Sequence, residues 1–358
     1  MASRSVRAAW DKVSKRIMLL IYLTMAVPWR RWWKLRDPGA DVVLWIHHRA
    51  PSSRLRYLLR EDTVVKDLGL VAALCARGIR FRTVWGTAID DVRDSVVVYT
   101  VHPYNPHGLT DYAAGLLAEL RSAESRGNRL FPSASEAEWW ENKVFMHRRF
   151  DELGVHCPPT RIVELASGVP TDLELPTLAK EPHASGSRGL HLLHDRAEAE
   201  ELFATLQREG ETHVLIQQLI DMRRDFRATL VGDEIVHSYF RINQAAEWKP
   251  TSTSHGSIVD FAGFPEKWRN DIVEVFGRLG LHSGAFDVCW DHDDLDSEPY
   301  FLEVSPSYTP NPPPPAGWDR PYYEFKKQLV GKDAYGRASV ATVFDIARRL
   351  VDCYGIGA

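Results

Sequence analysis

Three groups of residues in this 358-residue chain have the types and spacing to do chemistry. Lys180 stands in LAKEPHASGSRGLHLL, at the end of one apolar run and just before a Gly/Ser-rich turn into another. Gly186 and Gly189 would let backbone amides approach an anion, and the lysine adds a point charge for phosphate oxygens. The pattern is not a Walker A loop, because no strand–GxxxxGK[ST]–helix occurs; an ordinary surface hairpin would read the same way. In the second group, Asp225 and Arg227 alternate along a strand and so share a face, and Arg241 comes from the partner strand of the same hairpin. Such a face serves either a ligand or a structural Asp–Arg pair. The third group is Asp287 in GAFDVCW with Glu303 and Ser305 in YFLEVSPS. A carboxylate inside an apolar strand needs a partner, and a hard cation is the usual one. Asp291, Asp293, Asp294 and Asp296 fall in the turn between those strands and read as solvated.

The elements that must position these groups follow from the apolar pattern. Residues 41–47, 79–85 and 95–101 read as strands that alternate with helices over 64–77 and 110–122, which argues for a small parallel α/β domain. The turn HPYNPHG (102–108) follows the third strand at its carboxyl end, where open α/β sheets bind ligands; a loop packed as a cap fits equally. From Arg129 the pattern changes. Ser133 or Ser135 can cap a helix over 136–153, which Gly154 ends. Strands are predicted over 177–181, 189–193 and 213–220, with a charged helix over 196–208. A hairpin over 227–241 turns at Gly232-Asp233; a helix over 271–279 and strands over 284–290 and 300–304 follow. After a Pro-rich stretch the chain ends in a helix over 339–353.

Composition bounds what such a chain can be. With 44% apolar and 26% charged residues it is an ordinary globular sequence, not a disordered, collagen-like or polytopic membrane one. The net charge of −4 gives no reason to expect nucleic-acid binding. That sum hides an asymmetry: residues 1–36 carry nine Lys/Arg against Asp11 alone, a charge of +8, with four of the 12 tryptophans, and the remainder carries −12. Inside this arm the run IMLLIYLTMAVPW would span roughly 20 Å as a helix, short of the roughly 30 Å hydrocarbon core of a bilayer. Its basic and Trp-rich flanks suit a membrane interface. A helix packed on the body or on a second copy is another reading, and a signal peptide a third, although RRWWK just after the run argues against export. Four scattered cysteines without CxxC or metal spacing read as reduced thiols of a cytoplasmic protein.

Taken in order, these features resemble the ATP-grasp superfamily, and most of all its ribosomal-protein glutamate ligase-like branch of carboxylate–amine ligases. The resemblance covers about residues 130–310 and implies an α/β (α+β) ATP-grasp fold after a small parallel α/β domain. The implied organisation is a basic arm at 1–40, an α/β domain at 41–130, the ATP-grasp domain at 131–330 and a terminal helix at 331–358. ENKVFMHRRFDELGVHCPPT is similar to the family's first helix, which implies that Lys143 joins Lys180 on the phosphates, under a lid at 184–189. IQQLI resembles the hinge that reads adenine through Gln218 and Leu219, Asp225 matches a ribose contact, and EWKPTSTSHG around Lys249 resembles the segment that closes on the nucleotide. Asp287 and Glu303 match magnesium ligands, and Ser305 stands where the family usually has Asn. The resemblance implies ATP and Mg²⁺ as cofactors. It further implies a small-molecule or peptide carboxylate and an amine acceptor as substrates, with Arg227 and Arg241 stabilising an acyl phosphate or tetrahedral intermediate. An ATP-binding regulator that has lost turnover, motivated by Ser305, and a phosphotransferase remain as alternatives, as do homo-oligomerisation and a contact with the inner face of the cytoplasmic membrane through residues 1–36.

Overall fold

The computed structural model describes residues 17–47, 61–101, 109–184, 189–245, 248–252, 256–318, 322, 325 and 329–357. The chain divides into two compact units, one of residues 1–106, 114–137 and 306–358 and the other of residues 107–113 and 138–305.

The first unit is built on a parallel sheet in the order β2–β1–β3–β4, from β1 (Val42–Ile46), β2 (Arg82–Trp85), β3 (Val96–Tyr99) and β4 (Arg129–Phe131). β1 reads VVLWI and is buried almost throughout, as a central parallel strand covered on both faces must be. A helix over 17–26 (α1), α2 (Trp29–Leu35), α3 (Glu61–Arg77) and α4 (Leu109–Ser125) complete the N-terminal part. The unit also contains the last helix of the chain, Leu329–Cys353, which begins ten residues before its predicted start. That helix is no separate segment: Val340, Val343, Ala347 and Val351 share one core with Val64, Val71 and Leu74 of α3. Gly69 allows the approach, since a Cβ there would lie 3.2 Å from Ala347 Cβ and 3.3 Å from Phe344 Cδ1. The turn predicted over 102–108 lies outside the described residues.

The second unit holds two antiparallel sheets. One, in the order β5–β8–β6–β7, comprises β5 (Thr160–Glu164), β6 (Thr177–Lys180), β7 (Leu190–Leu193) and β8 (His213–Gln217). Leu202, Phe203 and Leu206 of the helix Arg196–Arg208 cover it. The other runs β11–β10–β9–β12–β13, from β9 (Arg224–Val231), β10 (Glu234–Ile242), β11 (Ile258–Asp260), β12 (Ser283–Cys289) and β13 (Tyr300–Ser305). Its core face packs Phe226, Ala228, Phe286 and Val288 against Met146 and Phe150 of the helix Lys143–Glu152 and Ile272 and Phe276 of the helix Arg269–Arg278.

The helix predicted over 136–153 is two helices, Ala134–Ala137 (α5) and Lys143–Glu152 (α6). Ser133 and Glu136 form a capping box on the first, with Ser133 N donating to Glu136 Oε2 at 2.8 Å and Glu136 N to Ser133 Oγ at 3.2 Å. Between the helices Trp139 and Trp140 are buried, Glu141 adopts φ 48°, and Asn142 restarts the helix by accepting Phe145 N–H at 3.2 Å. The turn aspartates are not merely solvated: Asp293 Oδ1 accepts the backbone N–H of both Arg223 and Arg224 at 3.1 Å and ties the turn to the start of β9.

Candidate nucleotide and phosphate site

All the described candidate residues lie in the second unit, and cross-strand register decides which of them meet. On β9, Phe226 and Ala228 face the core, so Asp225 and Arg227 face the opposite side. Register sets Asp225 against Arg241, and sets Arg227, Asp287 and Glu303 in one row across β9, β12 and β13. Ser305 takes the next position on that face, opposite Ala285. Four strands thus bring together the acidic and basic residues singled out in three separate stretches of sequence.

The row is knitted by ion pairs. Arg227 grips Asp287 with two hydrogen bonds, Nε to Oδ1 and Nη2 to Oδ2, both 2.7 Å. Arg241 donates from Nε to Asp225 Oδ1 at 2.8 Å and from Nη2 to Asp225 Oδ2, and the same Nη2 lies 2.9 Å from Asp287 Oδ2. Burial by itself would raise the Asp287 carboxyl, but Arg227 and Arg241 outweigh it and bring it down to about 2. For Asp225 burial prevails over the pull of Arg241, and the carboxyl is raised. Asp225 is 2% exposed with both oxygens taken by Arg241, so here the carboxylate orients Arg241, and a contact with a ribose would require Arg241 to release one of them.

Two lysines approach this face from other elements. The N-capped start of α6 buries Lys143, whose Nζ donates to Ala184 O and lies 3.9 Å from Glu303 Oε1 and 4.0 Å from Glu141 Oε2. Its backbone N–H donates to Pro182 O at 3.1 Å, which fastens α6 to the turn after β6. Lys180 ends β6 and is buried, and its side chain makes no hydrogen bond or ion pair among the described residues. Burial lowers its ammonium from the ordinary 10.5 to about 8; Glu303 opposes the shift and Lys143 adds to it. His147, one helical turn beyond Lys143, is held neutral, its imidazolium lowered to about 3 by burial and then by Lys180 and Lys143.

The turn after Lys180 is closed by Glu181 N–H to Gly189 O at 2.8 Å. Gly189 has φ 69°, and a Cβ there would come within 2.6 Å of Ala184 Cβ, so the turn needs glycine at that position. Gly186 lies outside the described residues. At the end of β8 the Gln217 side chain donates to Thr160 Oγ1 at 2.6 Å, the Gln217 backbone carbonyl accepts from Thr177 Oγ1 at 2.9 Å, and Gln218 N–H donates to Pro159 O at 2.9 Å. These bonds anchor the start of the following segment, in which Gln218 is exposed and Leu219 half-buried. Lys249 stands apart: it is exposed, and among the described residues its hydrogen bond is through its carbonyl, to Asn243 Nδ2 at 3.1 Å.

A divalent cation would find hard oxygens on Glu303 and Ser305, but both oxygens of Asp287 are occupied by guanidinium groups. Among the described residues no group of three or more His, Cys, Asp or Glu side chains could hold a metal. The donor set therefore fits a cation at Glu303, and fits one at Asp287 only after Arg227 is displaced. Sequence patterning foresaw the convergence of carboxylates but not that arginines would satisfy one of them, because partner choice depends on a register between strands about 60 residues apart in the chain.

No family model matches the chain. It is 26% identical over 151 residues to urea amidolyase of Saccharomyces cerevisiae, which covers 40% of this chain and 8% of that protein. Solved structures match over far more of their length. The RimK domain protein ATP-grasp from Sphaerobacter thermophilus aligns with a TM-score of 0.51 at 16% identity, over 86% of this chain and 98% of its own. D-alanine–D-alanine ligase from Bacillus anthracis aligns with a TM-score of 0.53 at 12% identity, over 88% and 99%. D-cycloserine synthetase DcsG aligns with a TM-score of 0.51 at 16% identity, over 84% and 99%.

Proposed function

Starting from the ATP-grasp fold that this chain has, we propose that it is an ATP-dependent carboxylate–amine ligase. The observation that carries this reading is Lys180: a buried ammonium that Glu303 only partly offsets and whose side chain has no hydrogen bond or ion pair among the described residues, set at a glycine-bounded turn next to a second buried lysine. A charge so placed is costly unless a ligand supplies the counter-charge, and a triphosphate does so.

In this reading the γ-phosphoryl group passes from ATP to a substrate carboxylate, giving ADP and an acyl phosphate. The amine attacks the acyl carbon, phosphate leaves with the bond electrons, the ammonium loses a proton, and an amide remains. Lys143 and Lys180 hold phosphate oxygens in line. The turn bounded by Gly189, with Gly186 in its middle, closes over them and keeps water from the acyl phosphate. The carbonyl of Gln218 and the N–H of Leu219 read the adenine edge, and Lys249 reaches the nucleotide when its segment folds inward. Arg241, oriented by Asp225, and Arg227 stabilise charge that develops on the acyl phosphate and tetrahedral oxygens. Mg²⁺ arriving with the nucleotide would be held by Glu303 and Ser305, joined by Asp287, and would neutralise triphosphate charge.

The test is ADP release by the purified protein with Mg-ATP across a matrix of carboxylic acids and amines. The expected result is turnover only when one member of each class is present, with an amide in stoichiometric amount. Absence of ADP across the matrix with retained ATP binding would replace this reading by an ATP-binding regulator. That second reading has its own support, in the engagement of Asp287 by two arginines and in the serine at 305. A stable phosphorylated product without amide would point to a phosphotransferase.

A further inference from the structure

Among the described residues, the large apolar side chains left exposed are Ile17, Leu20, Ile21, Met25, Trp29 and Trp33, all in one short stretch of the first unit. α1 is apolar on both sides. Leu19, Leu23 and Val27 point into the core of that unit, while Ile17, Ile21 and Met25 repeat every fourth residue on the other face, with Met25 77% exposed. A helix that is apolar all round is normally covered on all sides. α2 follows directly, buries no residue, and carries Arg30, Arg31 and Lys34, with Trp33 74% exposed.

Two observations choose the occupant. The first is charge: residues 1–36 sum to +8 against a single acidic residue, so the partner is anionic. The second is apolar matching. Among the described residues no other large apolar side chain is exposed, so from these a second copy offers this face its own arm, setting +8 against +8. A bilayer bearing anionic headgroups supplies negative charge and hydrocarbon together. Among the described residues no helix is long and apolar enough to cross a membrane.

We propose that residues 17–36 are a docking surface for an anionic lipid bilayer. α1 lies in the plane of the interface with Ile21 and Met25 among the upper acyl carbons. Trp29 and Trp33 sit at headgroup depth, and Arg30 and Lys34 meet lipid phosphates. Leu19 and Leu23 fasten this surface to the folded body, so it is not a loose tail.

The test is sedimentation of the full-length protein with vesicles of phosphatidylcholine containing phosphatidylglycerol, and with phosphatidylcholine alone. Binding is expected to the first, at least about tenfold weaker to the second, and to fall with added salt. The variant Ile21→Ser/Met25→Ser/Trp33→Ser should lose binding with its melting temperature unchanged, because the replaced side chains are exposed. Arg30→Gln/Lys34→Gln should weaken binding about fivefold per charge. Failure of the wild type to bind either vesicle, or binding undiminished in the triple variant, would overturn the proposal. So would a dimer on size exclusion that the triple variant abolishes while vesicles are ignored, which would assign the face to a second copy.

Discussion

At the scale of single residues, Lys180 and Asp287 solve the same problem in opposite ways. Asp287 has two guanidiniums, whereas the Lys180 ammonium has no hydrogen bond or ion pair among the described residues, and burial lowers it to about 8. A bound polyphosphate stabilises the ammonium, so nucleotide affinity should fall as pH rises through 8. For one linked proton the Kd at pH 9 should be about ten times that at pH 7, and in Lys180→Met it should be weaker throughout and flat. Folding stability without nucleotide should move the other way. The folded-state value lies below the ordinary 10.5, so between about 8 and 10.5 the unfolded chain holds the extra proton, and this group's contribution to stability rises with pH. Calorimetric titration and urea unfolding over that range separate the two signs. Asp287→Asn should cost about 3–5 kcal/mol of unfolding free energy, because it leaves Arg227 and part of Arg241 buried without counter-charge. Equal urea midpoints for variant and wild type would remove Asp287 from that role. The sequence announced that these carboxylates were special, since each interrupts an apolar strand. It could not announce the partner: Arg241 holds both oxygens of Asp225, where the resemblance implies a ribose contact.

At the scale of elements, legibility followed the strength of the local pattern. β1, β3, β12 and the helix Arg196–Arg208 have unbroken apolar runs or a clear helical stripe, and the observed spans lie close to the predicted ones. β5 reads TRIVE, with both charged positions exposed on an edge strand, and left no signal to read. The break between α5 and α6 was hidden because EAEWWENKVF keeps a plausible helical alternation through the two tryptophans, whose burial pulls the chain away from the helix axis. That break sets Lys143 at the first turn of α6. Asn142→Ala removes the cap on Phe145 N–H and should cost about 1 kcal/mol. It should also loosen Lys143, so KM for ATP should rise more than kcat falls, and Asn142→Asp should restore both. A change in stability with an unaltered KM would show that the cap holds the helix without placing the lysine.

At the scale of the whole molecule, the charge asymmetry and the core of the first unit belong together. A purely additive arm would be dispensable, but Leu19, Leu23 and Val27 fill the core of the first unit, and Trp32 stacks on Phe81 at 6.5 Å between ring centroids. Removing residues 1–36 therefore excises part of that core as well as the exposed surface. The second unit has separate cores under its two sheets and contains the described candidate residues. Units with separate cores can unfold in separate steps, and a single free energy of unfolding then does not describe the chain. Leu23→Ala should destabilise the first unit by about 2–5 kcal/mol, which at this size lowers one calorimetric transition by roughly 10 °C. ATP at about a hundred times its Kd should stabilise the second unit by about 2.7 kcal/mol and raise the other transition. The discriminating experiment combines the two: Leu23→Ala scanned with and without nucleotide should move its transitions apart or together according to which one melts first. One cooperative transition that responds to both perturbations would show that the units fold as one, and that α1 and the candidate site are linked through the stability of the whole chain.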